Sequence, residues 1–204
     1  MDYTYSMDGS LPSILTQADM ISYTTSKTEK DLLQILALQK SNLPASLSSE
    51  QIASQGFVTV SHSLADLRKM NDIEPHIIAR DDEQVVAYLL AMTTLSKADI
   101  PVLVPMFDMF DHIIFGDRKI SEQRYIVVGQ VCVADGYRGR GILDSCYMAY
   151  KTHFEGKYDF AITEISKRNP RSLNAHKRIG FNTIHEYQAP DGETWCIVLW
   201  NWKN

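Results

Sequence analysis

Tyr137-Arg138-Gly139-Arg140-Gly141-Ile142 joins an apolar run at 125–133 to a helix-like segment at 143–154. A strand, a turn with two glycines and two arginines, and then a helix start together make an anion site. The first N–H groups of a helix have no partner within it, and the macrodipole adds partial positive charge there. Glycine lets the backbone approach a bulky anion, and Arg138 and Arg140 add full charges. A pyrophosphate suits such a turn. The same residues can also be a plain strand-to-helix turn, so the surrounding sequence decides. A dinucleotide fingerprint needs a third glycine and an acidic residue roughly 20 residues on. Asp144 comes too soon for that, and Asp159 or Glu164 matches only by accident. The phosphate-loop tripeptide Gly-Lys-Ser/Thr is missing from the chain.

Composition narrows the partners. With 204 residues, 45% of them apolar, the chain can bury the core of one domain, expected over 19–204, with 1–18 disordered or a short added element. A net charge of −5 opposes nucleic-acid binding, because phosphate backbones require a basic face. The local basic cluster from Lys167 and Arg168 through Arg171 to Lys177 and Arg178 suits one small polyanion instead. Cys132, Cys146 and Cys196 form no CxxC pair and sit in apolar surroundings, so they read as buried free thiols of a reducing cytosol. The N-terminus lacks a secretory pattern and no apolar run reaches the ~20 residues that span a bilayer. A cytoplasmic protein without a membrane partner is expected.

The element order predicts a mixed α/β fold. A strand at 21–25 precedes a helix opened by a capping box, either Ser26 with Glu29 or Thr28 with Asp31. Ser48 with Gln51 caps a second short helix, 57–60 is strand-like, and 63–70 is helical. A hairpin follows, with arms at 75–79 and 85–92 around Asp81-Asp82-Glu83. The apolar run at 100–115 predicts one helix. Thereafter come strand 125–133, helix 141–155, strand 158–165, helix 171–179, and strands at 181–187 and 194–200 joined by Ala189-Pro190-Asp191-Gly192. The sheet is expected to be mostly antiparallel, with one parallel crossover over 125–165.

A second motif completes the pattern. In Asn169-Pro170-Arg171-Ser172-Leu173-Asn174-Ala175-His176-Lys177-Arg178-Ile179-Gly180-Phe181, Asn169 caps a helix, Pro170 takes N1 and Gly180 ends it. Ser172 and His176 share a face. Alone, His176 reads as an ordinary polar residue of a surface helix. Strand, Arg-Gly-Arg-Gly-Ile, helix, strand and then Asn-x-x-Ser-x-x-x-His-x-x-x-Gly-Phe, with about 40 residues from Arg138 to Gly180-Phe181, resembles the GNAT superfamily of N-acetyltransferases. The resemblance covers 125–200. It implies a mixed, mostly antiparallel central sheet flanked by helices, with splayed parallel strands at an acetyl-CoA site.

The resemblance also implies roles. The Gln/Arg-x-x-Gly-x-Gly/Ala pattern, which binds the CoA pyrophosphate through backbone amides, falls on Arg138, Gly139, Arg140, Gly141, Ile142 and Leu143. Leu143 replaces the usual small residue, so a looser turn is expected. Val131, Cys132 and Val133 would pair their backbone with the pantetheine arm, a β-bulge would splay the strands, and N–H groups near Val133 would hold the oxyanion. Asn169 and Ser172 would contact pantetheine or phosphates. His176 stands where the family has a tyrosine that protonates the departing thiolate, so it becomes a candidate acid, CoA contact or structural residue.

The general base is open among Gln130 through a water, Glu164, and Asp108, Asp111 or His112. Glu164 ranks first, provided it faces a pocket while Ile162 faces the core oppositely. Asp108, Asp111 and His112, with His62, also suggest a metal site, but an apolar helix lining an acceptor pocket explains them with fewer assumptions. The expected reaction moves acetyl from acetyl-CoA to a primary amine in a ternary complex. The acceptor is a small-molecule amine or a protein amino group. A non-catalytic acyl-CoA-binding regulatory module is the alternative. Trp195, Trp200 and Trp202 cover the core or form a homodimer surface.

Overall fold

A computed structural model describes residues 21–97 and 104–203; the expectation for 1–18 lies outside them. The order of elements is β1 (Ser22–Thr25), α1 (Glu29–Ser41), α2 (Ser49–Gln55), α3 (Leu64–Ile73), β2 (Ile77–Asp81), β3 (Gln84–Met92) and α4 (Val104–Phe110). Then follow β4 (Ile114–Phe115), β5 (Arg118–Lys119), β6 (Tyr125–Val133), α5 (Ile142–Phe154), β7 (Phe160–Ser166), α6 (Pro170–Ile179), β8 (Asn182–Gln188) and β9 (Thr194–Asn201). Seven strands form one sheet in the order β1-β2-β3-β6-β7-β9-β8. Every pair is antiparallel except β6 with β7.

Local chemistry explains the boundaries. Thr28 and Asp31 form the capping box of α1, and Ser48 with Gln51 that of α2. In α1 the buried positions Leu32, Ile35 and Gln39 recur on one helical face. In α5 the buried residues Ile142, Cys146, Tyr150 and Phe154 do the same. The sheet separates two cores. One packs α1, α3 and α4 residues such as Ile35, Leu67 and Phe110 against Tyr88, Val127 and Ile162. The other packs α5 against Leu89, Ile126, Ala161 and Val198. Trp200 belongs to this second core and Trp202 packs against it, so these two tryptophans cover the core. β3, between them, is buried along 85–92, as a strand covered on both faces must be. No helix among the described residues is long and apolar enough to cross a membrane.

Two predicted elements differ. Within the predicted helix over 100–115 only 104–110 is helical among the described residues, because Gly116, at φ +69, turns 114–119 into a small hairpin. The predicted strand over 57–60 pairs with no strand among the described residues. Its β-branched residues favour extended backbone, but its groups are bound by cap and side-chain partners: Val58 N donates to Asn42 O (3.1 Å) and Gln130 Nε2 to Val60 O (2.8 Å).

Two histidines are buried in the fold as neutral rings. His76 accepts from Ala91 N at Nδ1 (3.1 Å), and its Nε2 lies 3.2 Å from Leu67 O. His62 Nδ1 lies 2.8 Å from Gln39 Nε2. Burial pushes each down from 6.5 to about 4. A pKa lowered by folding means the unfolded chain binds more protons between those values, so stability is full above about pH 6.5 and falls as pH drops toward 4. Urea unfolding at pH 7 and pH 4.5 should show a loss on the order of 3 kcal/mol per histidine, smaller if the acid state retains structure.

Candidate active site

The β6–β7 ladder contains three residue pairs, Tyr125 with Phe160, Ile126 with Ala161 and Val127 with Ile162. Just beyond them the Thr163 hydroxyl donates to Val128 O (2.8 Å), and the strands then part. On the other side of β6 the register with β3 slips between Leu90 and Ala91, which leaves Gly129 as the extra residue of a bulge. A Cβ on Gly129 would meet Met92 Cε at 3.0 Å, so the bulge is tight around a residue without a side chain.

A cleft of about 820 Å3 runs from this opening over the turn before α5 and along α6. Val131, Cys132, Val133, Arg138, Gly139, Gly141, Ile142, Leu143, Asn169, Ser172 and His176 all line it. Gly139 and Gly141 have φ of +75 and +76, which L side chains rarely adopt. Gly141 is the N-cap of α5 and has no side chain to spend on the first-turn N–H groups. The two arginines behave differently from free surface charges. Arg138 folds back, with Nε donating to Val133 O (3.0 Å) and Nη2 to Asn42 Oδ1 (2.5 Å). Arg140 does not line the cleft, and its guanidinium lies 5.1 Å from the Tyr137 ring centroid. Leu143, the larger residue of the motif, packs partly buried against the α5 core.

On α6, Asn169 is spent on structure: its Oδ1 accepts from Ser172 N (3.1 Å) and its Nδ2 donates to Phe57 O (3.3 Å). His176 is buried, at 2% exposure, unlike the surface residue that its helix taken alone suggests. Tyr147 and Phe181 of the second core pack edge-on against it, and Trp200 of β9 packs in turn on both of them. Its Nδ1 lies 2.8 Å from Ser172 O, so Nδ1 carries the proton, and Nε2 accepts from the Tyr147 hydroxyl (2.5 Å). Burial pushes the ring down to about 4. Near neutral pH His176 is therefore a neutral imidazole whose one proton points at a backbone carbonyl. Cys132 is pushed up to about 12 by burial, which leaves it a thiol in the cleft wall.

A second, narrow cavity of about 80 Å3 continues between the parted strands. Val128, Gly129, Gln130 and Val131 form one wall, Thr163, Glu164, Ile165 and Ser166 another, and Phe57, Val58 and Thr59 a third, with Trp195 beside them. The backbone at the point of divergence is thus 128–131, upstream of Val133. Ile162 and Glu164 share a face of β7, as residues two apart must; the expected opposition between them was wrong. Ile162 enters the first core, and Glu164 reaches the cavity because the ladder has ended by then. Burial raises the Glu164 carboxyl above the ordinary glutamate value, against the lowering hydrogen bond from Tyr187 (2.5 Å to Oε2).

The other base candidates lie elsewhere. Gln130 is bound on both atoms of its amide, by Gln39 Nε2 (2.7 Å) and Tyr88 Oη (2.6 Å) at Oε1, and to Val60 O at Nε2. Asp108, Asp111 and His112 are exposed and line neither of these two cavities. Among the described residues no group of three or more His, Cys, Asp or Glu could hold a metal ion. The resemblance implies that 42–62 and the 185–195 hairpin frame the acceptor, which takes in the 57–60 segment and Tyr187, but sequence reasoning gave no role to Tyr147 or to the Tyr187 side chain. The tyrosines reach Glu164 and His176 across 23 and 29 residues of sequence, and 57–60 reaches Asn169 across 112, so no local pattern marks these partners.

No family model matches this sequence, and neither does any curated protein. Solved structures do match. A GNAT-family acetyltransferase from Streptococcus agalactiae is 13% identical, with 90% of this chain and 96% of that one covered at a TM-score of 0.61. The NatC complex bound to Gag peptide and CoA is 15% identical, with 90% and 99% covered at 0.60. The ribosomal-protein-S18-alanine N-acetyltransferase of Escherichia coli is 13% identical, with 89% and 94% covered at 0.58. The chain therefore has the GNAT acetyltransferase fold. That agrees with the mixed, mostly antiparallel sheet and its single parallel pair.

The geometry of His176 makes a separate prediction. His176→Ala leaves the buried Tyr147 hydroxyl without its acceptor, and denaturant unfolding should show a loss of about 1–3 kcal/mol beyond the cavity cost. In the parent protein the His176 ring-proton resonances should stay unshifted between pH 8 and pH 5.5.

Proposed function

We propose that this chain is an N-acetyltransferase that moves the acetyl group of acetyl-CoA to a primary amine within a ternary complex. The observation that carries this reading is a cleft over the uncapped start of α5, continued by a narrow cavity that reaches the half-buried carboxylate of Glu164 in the gap between β6 and β7. The solved NatC neighbour holds both CoA and a peptide, which supports a cofactor and an acceptor meeting in this fold. Acetyl-CoA supplies the activated acyl group.

The residues here fit that co-substrate. The backbone of Gly139, Arg140, Gly141, Ile142 and Leu143 presents N–H donors and the positive end of α5 to a pyrophosphate. Arg138, held by Val133 O and Asn42, brings its charge to the same wall. Val131, Cys132 and Val133 give an extended edge for the pantetheine arm, and Ser172 and Asn169 frame its other side. Backbone N–H groups near the parting of the strands, in the cavity wall at 128–131 and on toward Val133, would be the donors to the charge that develops on the carbonyl oxygen.

Glu164 serves as the base. Its carboxylate takes a proton from the incoming ammonium, and the freed lone pair forms the N–C bond as the C–S bond breaks. The electron pair of that bond leaves on sulfur, and the second amine proton is released as the amide forms, with solvent completing the thiol. His176, neutral and tied to Ser172 and Tyr147, acts in this reading by fixing the α6 wall. The acceptor class is an amino group on a small molecule or a protein. The Escherichia coli neighbour is named for an alanine of ribosomal protein S18, which makes a peptide amino terminus the first acceptor to try. Buried neutral thiols suit a cytoplasmic setting.

Calorimetric titration with acetyl-CoA, CoA and NADH tests the reading. Binding of the CoA species alone is expected, weakened at least ~10-fold in Gly141→Val. Free thiol should then appear with an amine, and Glu164→Gln should lower kcat/KM on the order of 100-fold with acetyl-CoA affinity kept. Binding of acetyl-CoA without thiol release from any amine would mark a regulatory module, and no binding at all would sink both readings.

A further inference from the structure

Glu164, half-buried on β7, differs from the buried carboxylates Asp31 and Glu74, and from Glu193, in what it is paired with. Asp31 holds Arg80, Glu74 holds Lys157 at 2.9 Å, and Glu193 holds Arg168. These pairs neutralise charge within the fold, as burial demands. Glu164 pairs with no cation among the described residues. Its partner is the Tyr187 hydroxyl, 2.5 Å from Oε2.

That partner comes from a distance. Tyr187 lies in β8, the outermost strand, and β9 stands between it and β7. In register Glu164 faces Ile197 of β9, whereas Tyr187 faces Trp195, two residues along. The Tyr187 ring thus crosses β9 diagonally to reach the carboxylate. Neighbouring β8 positions such as Glu186 and Gln188 are exposed. A tyrosine donor fixes one carboxylate oxygen and leaves the negative charge in place, whereas Lys or Arg would cancel it.

We infer that Tyr187 is the positioning residue for the acceptor amine, holding Oε2 of Glu164 so that Oε1 is presented to a protonated primary amine in the gap between β6 and β7. This rests on the transferase reading, to which it adds the residue that aims the base. The amine supplies the cation that Asp31, Glu74 and Glu193 each find within the fold. The narrow cavity is walled by Trp195 and Thr59 beside Glu164, which favours a slender amine.

Tyr187 also sets when Glu164 can act. The titratable side chains facing Glu164 are Tyr187 from β8, with Asp191 of the next turn acting on that phenol, and His176 of α6 on the cavity wall. The described residues of β6 and of 57–59 that line the cavity contribute none. Burial raises the carboxyl, and the Tyr187 hydrogen bond lowers it. Removing the hydroxyl leaves burial unopposed, so the base becomes available only at higher pH.

The test is Tyr187→Phe, which keeps the ring. Thiol release is followed at saturating acetyl-CoA with n-butylamine, spermidine and a short peptide with a free amino terminus as probes. The acid limb of kcat/KM should move to higher pH and amine KM should rise roughly tenfold, with acetyl-CoA affinity unchanged. The 13C carboxyl resonance of Glu164 should titrate at higher pH in the variant than in the parent. An unmoved acid limb and carboxyl titration, in a variant that still binds acetyl-CoA, would overturn the assignment of Tyr187 and leave the transferase reading standing. Absence of acetyl-CoA binding by the parent protein would overturn the transferase reading, and this one with it.

Discussion

Three residue pairs hold β6 to β7, and everything at the site follows from the ladder stopping at Val127 and Ile162. Past that point each strand keeps its outer partner, β3 on one side and β9 on the other, so both stay extended while the space between them widens. Backbone groups facing a gap inside a sheet have lost their usual partners, and such groups must be met by something. Thr163 meets the first with its hydroxyl, and Arg138 meets the last, at Val133 O. Between these two the edge of β6 is available to an extended ligand. The bulge at Gly129 gives β6 the local bend, with the end of the Met92 side chain packed close against it.

A gap in a sheet is stable only if its walls are held from outside. The 57–60 segment closes one side without being a strand, anchored by the cap residue Asn42, by Gln130 and by Asn169. Gln130 is fixed in turn by Gln39 and Tyr88, so α1, β3, β6 and the segment share one buried polar network. Such networks are costly when incomplete and directional when satisfied, which suits them to setting the width of a cleft. Asn42 also binds Arg138, so the same residue steadies the segment and the glycine turn.

The charges in and around the cleft are arranged by burial. His176 and Cys132, both of which could carry charge in water, are held neutral. Glu164 remains as the half-buried acid of the narrow cavity, and an uncharged donor fixes it. Low polarity around one carboxylate favours a cationic guest that brings its own compensation.

Much of this was present in local sequence. The capping boxes at Thr28 and Ser48, the Asn169-Pro170 helix start, the Gly180 stop and the glycine turn before α5 depend on neighbours a few residues apart, so their chemistry is readable along the chain. Hydrophobic periodicity similarly marked β6, α5, β7 and β9, because one buried face repeats with the period of the element. What the chain alone could not decide were matters of partnership across space. Whether 57–60 would find a strand, whether His176 would meet solvent or Tyr147, and whether Glu164 would meet a cation or Tyr187 depend on residues far along the sequence. Those pairings were set only when the sheet placed β7, β8 and β9 side by side and left β6 and β7 apart.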